Sequence, residues 1–222
     1  QCGIMDMFAS LNSKKNHVIL LDCNTLQYTY FPLQLNEYSI VLINSKVHHS
    51  LASGEYNIRR KQCEEGLRII KNIDPTFTSF RNIPSKKIIE YKNILDEEIY
   101  QRCLYVTQEI ERTQLAATHL QNDNLVAFGK LMYQTHEGLS ELYNVSCDEL
   151  DFLVNEAKKH SAIIGSRLMG GGFGGCTINI IETEKAAAII ELITAAYENK
   201  FTVNAEVYKV QTSDGTFEIT TN

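Results

Sequence analysis

Gly165-Ser-Arg-Leu-Met-Gly-Gly-Gly-Phe-Gly-Gly-Cys176 joins two short apolar runs through a loop that is almost all glycine. Ala162-Ile-Ile-Gly-Ser-Arg167 leads into it, and Cys176-Thr-Ile-Asn-Ile-Ile181 leaves it with strand character. A helical pattern over 184–199 follows, then two strand patterns, 205–211 and 216–220, turning at Ser213-Asp214-Gly215, where Asp-Gly is a strong turn signal. A terminal strand–loop–strand–helix–strand, preceded by strands broken by helix pairs, predicts an α+β fold.

The loop itself is costly. Five glycines in the six residues 170–175 each lose roughly 0.5–1 kcal/mol relative to alanine through unfolded-state entropy. Two readings justify that cost: tight packing between strands, or bare amides facing an anion or a sugar phosphate. The loop lacks the Lys-Ser/Thr ending of a Walker A motif and is not read as one.

Upstream, the apolar residues Ile4, Met5, Phe8 and Leu11 have helical spacing, with Asp6 in the first turns. A hairpin is expected from His17–Cys23 and Gln27–Phe31, turning at Asn24-Thr25, and Ser39-Ile-Val-Leu-Ile-Asn44 reads as a strand buried on both faces. The span 56–70 is an amphipathic helix, and 76–87 reads as a connection containing Pro84. Three helices are expected over 97–122, 124–145 and 147–160, the last opened by a capping box from Ser146 to Glu149.

Bulk properties narrow the function classes. The chain has 222 residues, 44% of them hydrophobic and 22% charged, with a net charge of −6, the profile of an ordinary globular protein. Its basic residues do not form one long block, and tight binding of nucleic acid wants a concentrated basic face, so nucleic acid is not an expected partner. No run of 18 apolar residues and no signal-peptide pattern occur, so no membrane partner is expected. The six cysteines, 2, 23, 63, 103, 147 and 176, form no CxxC pair; reduced thiols and a cytoplasmic location are expected. The chain begins at Gln1 rather than methionine, from which an upstream segment is expected.

Individual residues suggest little chemistry by themselves. Asp6 near a helix N-terminus is stabilised as an anion by the macrodipole and could orient a hydroxyl or accept its proton, but on residue type alone a capping or solvated acid is much the better reading, and nothing local makes it catalytic. His48-His49-Ser50 lacks a third metal ligand and a nucleophile elbow. His136 reads as a core or buried polar residue, and Arg59-Arg60-Lys61 with Glu64-Glu65 as a solvated helix face with i,i+4 pairs.

Taken in order, however, several segments resemble one family. Cys2-Gly-Ile-Met-Asp6 with Phe8-Ala-Ser10 resembles the segment of galactokinases that carries their general-base aspartate. Asn44 to Glu65 resembles their sugar-side strand and helix, and Gly165 to Thr177 is similar to the third motif of the GHMP kinases. Glu109-Ile-Glu-Arg-Thr113 and the stretch from His136 to Asp151 fit the same pattern.

The resemblance implies a GHMP kinase C-terminal domain over 36–222, a ferredoxin-like sheet with added helices, and over 1–35 the tail of the N-terminal domain. It implies ATP-dependent phosphorylation of galactose at its anomeric hydroxyl, with ATP and magnesium ion, in a monomeric protein. Asp6 matches the catalytic base. Gly3, Asp6 and Tyr56 match sugar contacts, and Gly170, Gly171, Gly172, Gly174 and Gly175 match the active-site loop. Met7 stands where the family usually has glutamine and His48 where arginine is common, so sugar affinity or rate is expected to differ. The family's N-terminal sugar motif, ATP phosphate loop and magnesium ligands precede this segment, so no metal ligand is expected within it and the 222 residues alone are expected to be inactive. The alternatives are an N-acetylgalactosamine kinase, a non-catalytic galactokinase-like sugar sensor, and a stand-alone structural or binding domain.

Overall fold

The computed structural model describes residues 3–47 and 52–217. Its centre is a four-stranded antiparallel sheet of β3 (Tyr38–Asn44), β4 (Ile163–Leu168), β5 (Cys176–Glu182) and β6 (Glu206–Val210), in the order β4-β5-β3-β6. Within this sheet the connections run strand, helices, hairpin, helix, strand, and the first strand lies between the third and the last. That is the split β-α-β arrangement of ferredoxin-like folds. A separate two-stranded sheet pairs β1 (His17–Leu21) with β2 (Tyr28–Pro32).

The apolar run in β3 reflects cover on both faces. Successive side chains point to opposite faces of a strand, so Val41 and Ile43 pack with Ile163 and Ile181 on one side, whereas Ile40 and Ile180 face the other. The first side is covered by α6 (Asp148–Lys158) and α7 (Thr183–Phe201), through Leu153, Ala157, Ile193 and Tyr197. The second is covered by α4 (Glu97–Gln121) and α5 (Leu125–Glu137), through Leu120, Leu125 and Met132, joined by Leu33, Val18 and Phe31 of the hairpin region. A second core of Ile70, Ile83, Ile88, Tyr91 and Cys103 binds α2 (Ala52–Ile73) and α3 (Ser85–Glu90) to α4.

The hairpin turn is built by Asp22, whose carboxylate accepts from the amides of Asn24 and Thr25. It also pairs with Arg81, and that guanidinium, more than the backbone bonds, holds the Asp22 carboxyl far below the usual carboxylate range. Asn124 caps α5 by accepting from the Ala127 amide at 3.0 Å.

Several sequence expectations need correction. The connection over 76–87 ends in α3, which Pro84 precedes in an extended conformation. The helix expected over 124–145 stops at Glu137 and widens into a π-type turn, Gly138–Leu142, before Asn144 takes a left-handed φ of 54°. The capping box at Ser146 does not form. Cys147 occupies the N-cap without a side-chain cap bond, because the Ser146 hydroxyl goes to Asp151 instead. The terminal hairpin at Ser213-Asp214-Gly215 is absent among the described residues. Residues 211–217 fold back on the link between α1 (Met5–Asn12) and β1, with the amides of Gly215 and Thr216 donating to Ser13 and Ser10 carbonyls and Asp214 and Thr212 accepting from Lys15 and Asn16. Those tertiary bonds replace the hairpin's own. Residues 218–220 of the expected last strand lie outside the described residues.

Candidate functional site

The glycine loop joins β4 to β5 and has two different halves. Gly170 and Gly171 are exposed, and an added Cβ at either would meet nothing within 4 Å. From Gly172 onward the loop is packed. Gly172 has a φ of 82°, and a Cβ there would fall inside 3.0 Å of the Val145 carbonyl oxygen; at Gly174, with φ of 133°, it would lie 2.6 Å from the Val47 carbonyl oxygen. The amide of Phe173 donates to Val145 (2.6 Å) and that of Gly175 to Val47 (3.2 Å), while the Ser45 amide donates to the Gly175 carbonyl at 2.9 Å. Close packing therefore accounts for the second half of the loop, and its Phe173 and Gly175 amides are committed to protein carbonyls.

Val47 continues from β3 toward α2, which carries Tyr56 as an exposed side chain in its second turn. His48, His49 and Ser50 lie outside the described residues. Three residues beyond Tyr56, Arg59 is buried at 7% exposure, which corrects the reading of Arg59-Arg60-Lys61 as wholly solvated. The Arg60–Glu64 pair does form on the surface at 2.8 Å.

The loop's other flank rests on a buried polar cluster. The Leu168 amide donates to His136 Nδ1 at 3.2 Å, so the ring proton sits on Nε2, which faces Asp151 Oδ1 at 3.1 Å. Asp151 also accepts from Ser140 (2.8 Å) and Ser146 (2.5 Å). Burial pushes its carboxyl up, but the bonds from His136, Ser146 and Ser140 outweigh that and hold it below its ordinary 3.8. His136 is thus a buried polar residue with a structural task, linking α5 and α6 to the end of β4 where the loop begins.

A group with a depressed folded pKa contributes stability above its unfolded pKa and loses it as pH falls through the folded value. The melting-temperature gap between wild type and Asp151→Asn should hold steady from about pH 7 to about pH 5 and shrink below about pH 4. A gap that widens on acidification would refute this account of the cluster.

Asp6 lies in the first turn of α1, beside the exposed Gly3. Nothing on α1 is buried, and its apolar side chains Met5, Met7 and Leu11 are 60%, 56% and 66% exposed. Its C-terminal half is tied down, with Phe8 edge-on to Tyr28, and the Tyr30 hydroxyl donating to the Asn12 carbonyl at 2.6 Å. The structure brings Tyr56's helix and the glycine loop together, through Val47 and the 143–145 segment. Among the described residues, no hydrogen bond or ion pair joins Asp6 to either.

Two cavities, of about 320 and 630 Å³, lie between the hairpin and α4, sharing Leu20, Glu109 and Thr113. None of Gly3, Asp6, Tyr56 or residues 170–175 lines them. No group of three or more His, Cys, Asp or Glu residues that could hold a metal exists among the described residues, and no helix among them is long and apolar enough to cross a membrane.

Residues 116–199 match the family described as GHMP kinases C terminal. The chain is 39% identical over 218 residues to a galactokinase from Thermosipho africanus, covering 98% of this chain and 60% of that protein. It is 38% identical over 214 residues to the galactokinase of Homo sapiens, covering 96% and 52%. Its fold superposes on Lactococcus lactis galactokinase complexed with galactose with a TM-score of 0.93 at 29% identity, over 99% of this chain and 56% of the other. A mevalonate kinase from L. major shares the fold alone, at TM-score 0.51 and 19% identity over 90% of this chain and 50% of that one. The chain thus spans about 60% of the length of the first of these relatives.

Proposed function

We propose that this chain supplies one side of the active site of a galactokinase, a reading supported by the match of residues 116–199 to the GHMP kinase C-terminal family and by similarity to galactokinases along nearly its whole length. The reaction is phosphoryl transfer from ATP to the anomeric hydroxyl of galactose. The observation that carries the reading is the 98% coverage at 39% identity, supported by the close superposition on a galactokinase complexed with galactose.

In this reading Asp6 is the catalytic base. Its carboxylate, favoured as an anion by the N-terminus of α1, takes or polarises the proton of the attacking hydroxyl. Gly3 and Tyr56 contact the sugar, and Gly170–Gly175 closes the site. Phosphoryl transfer demands positioning and charge neutralisation more than covalent chemistry, and a braced loop beside a substrate-bearing helix meets the positioning demand. ATP and magnesium ion belong to the same reading; among the described residues no group of three or more His, Cys, Asp or Glu side chains could hold the ion.

The exposed apolar face of α1 and the separate hairpin sheet support assigning residues 1–35 to the tail of an N-terminal domain and 36–222 to the C-terminal one, since a lone two-stranded sheet is marginal by itself. A cytoplasmic monomer is part of the same reading. The test is ATP-dependent phosphorylation by the complete gene product, with galactose, glucose and N-acetylgalactosamine as acceptors. Galactose should be preferred, and residues 1–222 alone should show no turnover. Preference for N-acetylgalactosamine would move the assignment to that kinase, and sugar binding without turnover would make the protein a sensor.

A further inference from the structure

Arg59 is spent on backbone rather than on solvent. Its Nε donates to the Tyr143 carbonyl and its Nη2 to the Asn144 carbonyl, both at 2.9 Å, with Glu55 at 3.2 Å from Nη2. The next buried guanidinium, Arg102, donates to the Leu142 carbonyl and to Gln62. Two fixed cations thus bind three consecutive carbonyls where the π-type turn ends, the end at which a helical dipole is negative. The residue that follows is Val145, whose carbonyl accepts the Phe173 amide and abuts Gly172.

We propose that Arg59 is a positioning residue for the glycine loop. It clamps the 143–145 segment to α2, and that segment fixes how far the loop stands from the helix carrying Tyr56. A planar guanidinium suits the task because its fork reaches two carbonyls in one fixed geometry, which a lysine ammonium does not reproduce. The catalytic consequence rests on the galactokinase reading: a loop displaced by about 1 Å lowers turnover by up to about 100-fold while sugar still binds.

The experiment is hydrogen exchange by mass spectrometry on the 222-residue chain as wild type, Arg59→Lys and Arg59→Met. Peptides covering 143–147 and 169–176 should exchange about tenfold faster in both variants, the loss of a local restraint, while peptides of β3, β4 and β5 keep wild-type protection. Unchanged loop exchange in either variant overturns the proposal. So does a loss of protection spread equally across the sheet in both, since Arg59 would then hold the fold and not the loop. In the complete gene product, Arg59→Lys should lower kcat with the galactose KM within about threefold of wild type; an unchanged kcat overturns the catalytic half. Because exchange needs no turnover, a gene product that phosphorylates no sugar would sink the galactokinase reading and leave the exchange result to be judged separately.

Discussion

Replacing Asp6 with asparagine is expected to lower sugar phosphorylation by the complete gene product by about 10²–10⁴-fold, the range that a positioned acid–base group contributes. The substitution keeps side-chain size and removes both the charge and the basicity. Asp6 is exposed, and among the described residues its side chain has no hydrogen-bond or ion-pair partner, so the fold has little to lose. Surface substitutions of that kind usually stay within about 0.5 kcal/mol. Galactose binding, measured at equilibrium by calorimetry, should remain near wild type, because the amide still reaches the same hydroxyl. The combination of lost turnover, retained binding and unchanged melting temperature is what a catalytic base predicts. Near-normal turnover in Asp6→Asn would remove the base assignment, whatever the identity of the sugar.

The largest expected effect on stability comes from Gly129→Ala. On helix propensity alone this change should help by about 1 kcal/mol. Gly129, however, sits where α5 touches β4 most closely. A Cβ there would lie inside 3.0 Å of the Ile164 carbonyl oxygen, and across the contact Gly165 would place its own Cβ 2.6 Å from Gly129 Cα. Both obstacles are backbone, so no side-chain rotation relieves them, and α5 must lift off the strand that Met132 and His136 pack against. Overpacking of a core costs up to about 3 kcal/mol, which exceeds the propensity gain. The net loss of about 2 kcal/mol corresponds to a drop in melting temperature of roughly 4–8 °C for a chain of this size. A rise in melting temperature would show that the α5–β4 contact is looser than its geometry.

The elements that were legible in the sequence are those whose signal is local. The apolar run of β3, the alternation around the glycine loop, the periodicity of α4 and α6, and the Asp22–Thr25 turn all follow from side-chain spacing within a few residues. Sequence reasoning failed where a distant partner outbid the local rule. Ser146 abandons a capping box for Asp151, whose carboxylate already gathers His136 and Ser140. The Asp214-Gly215 turn gives way to bonds with Lys15 and Ser13, about 200 residues earlier in the chain. Arg59 carries no mark that separates it from Arg60 beside it, yet one is buried against carbonyls 84 and 85 residues away while the other pairs with Glu64 in solvent.

The same division runs through the glycine loop. Its composition by itself determined that the backbone there must do something a side chain would obstruct, because glycine's entropic cost is otherwise wasted. Which obstruction, and on which side, was decided only by the tertiary structure. Gly170 and Gly171 stand open, whereas Gly172 and Gly174 press on the Val145 and Val47 carbonyls. Local spacing records where a chain can bend or bury a face; it does not record which remote carbonyl will arrive there. That depends on how the sheet, α2 and the π-type turn pack against one another.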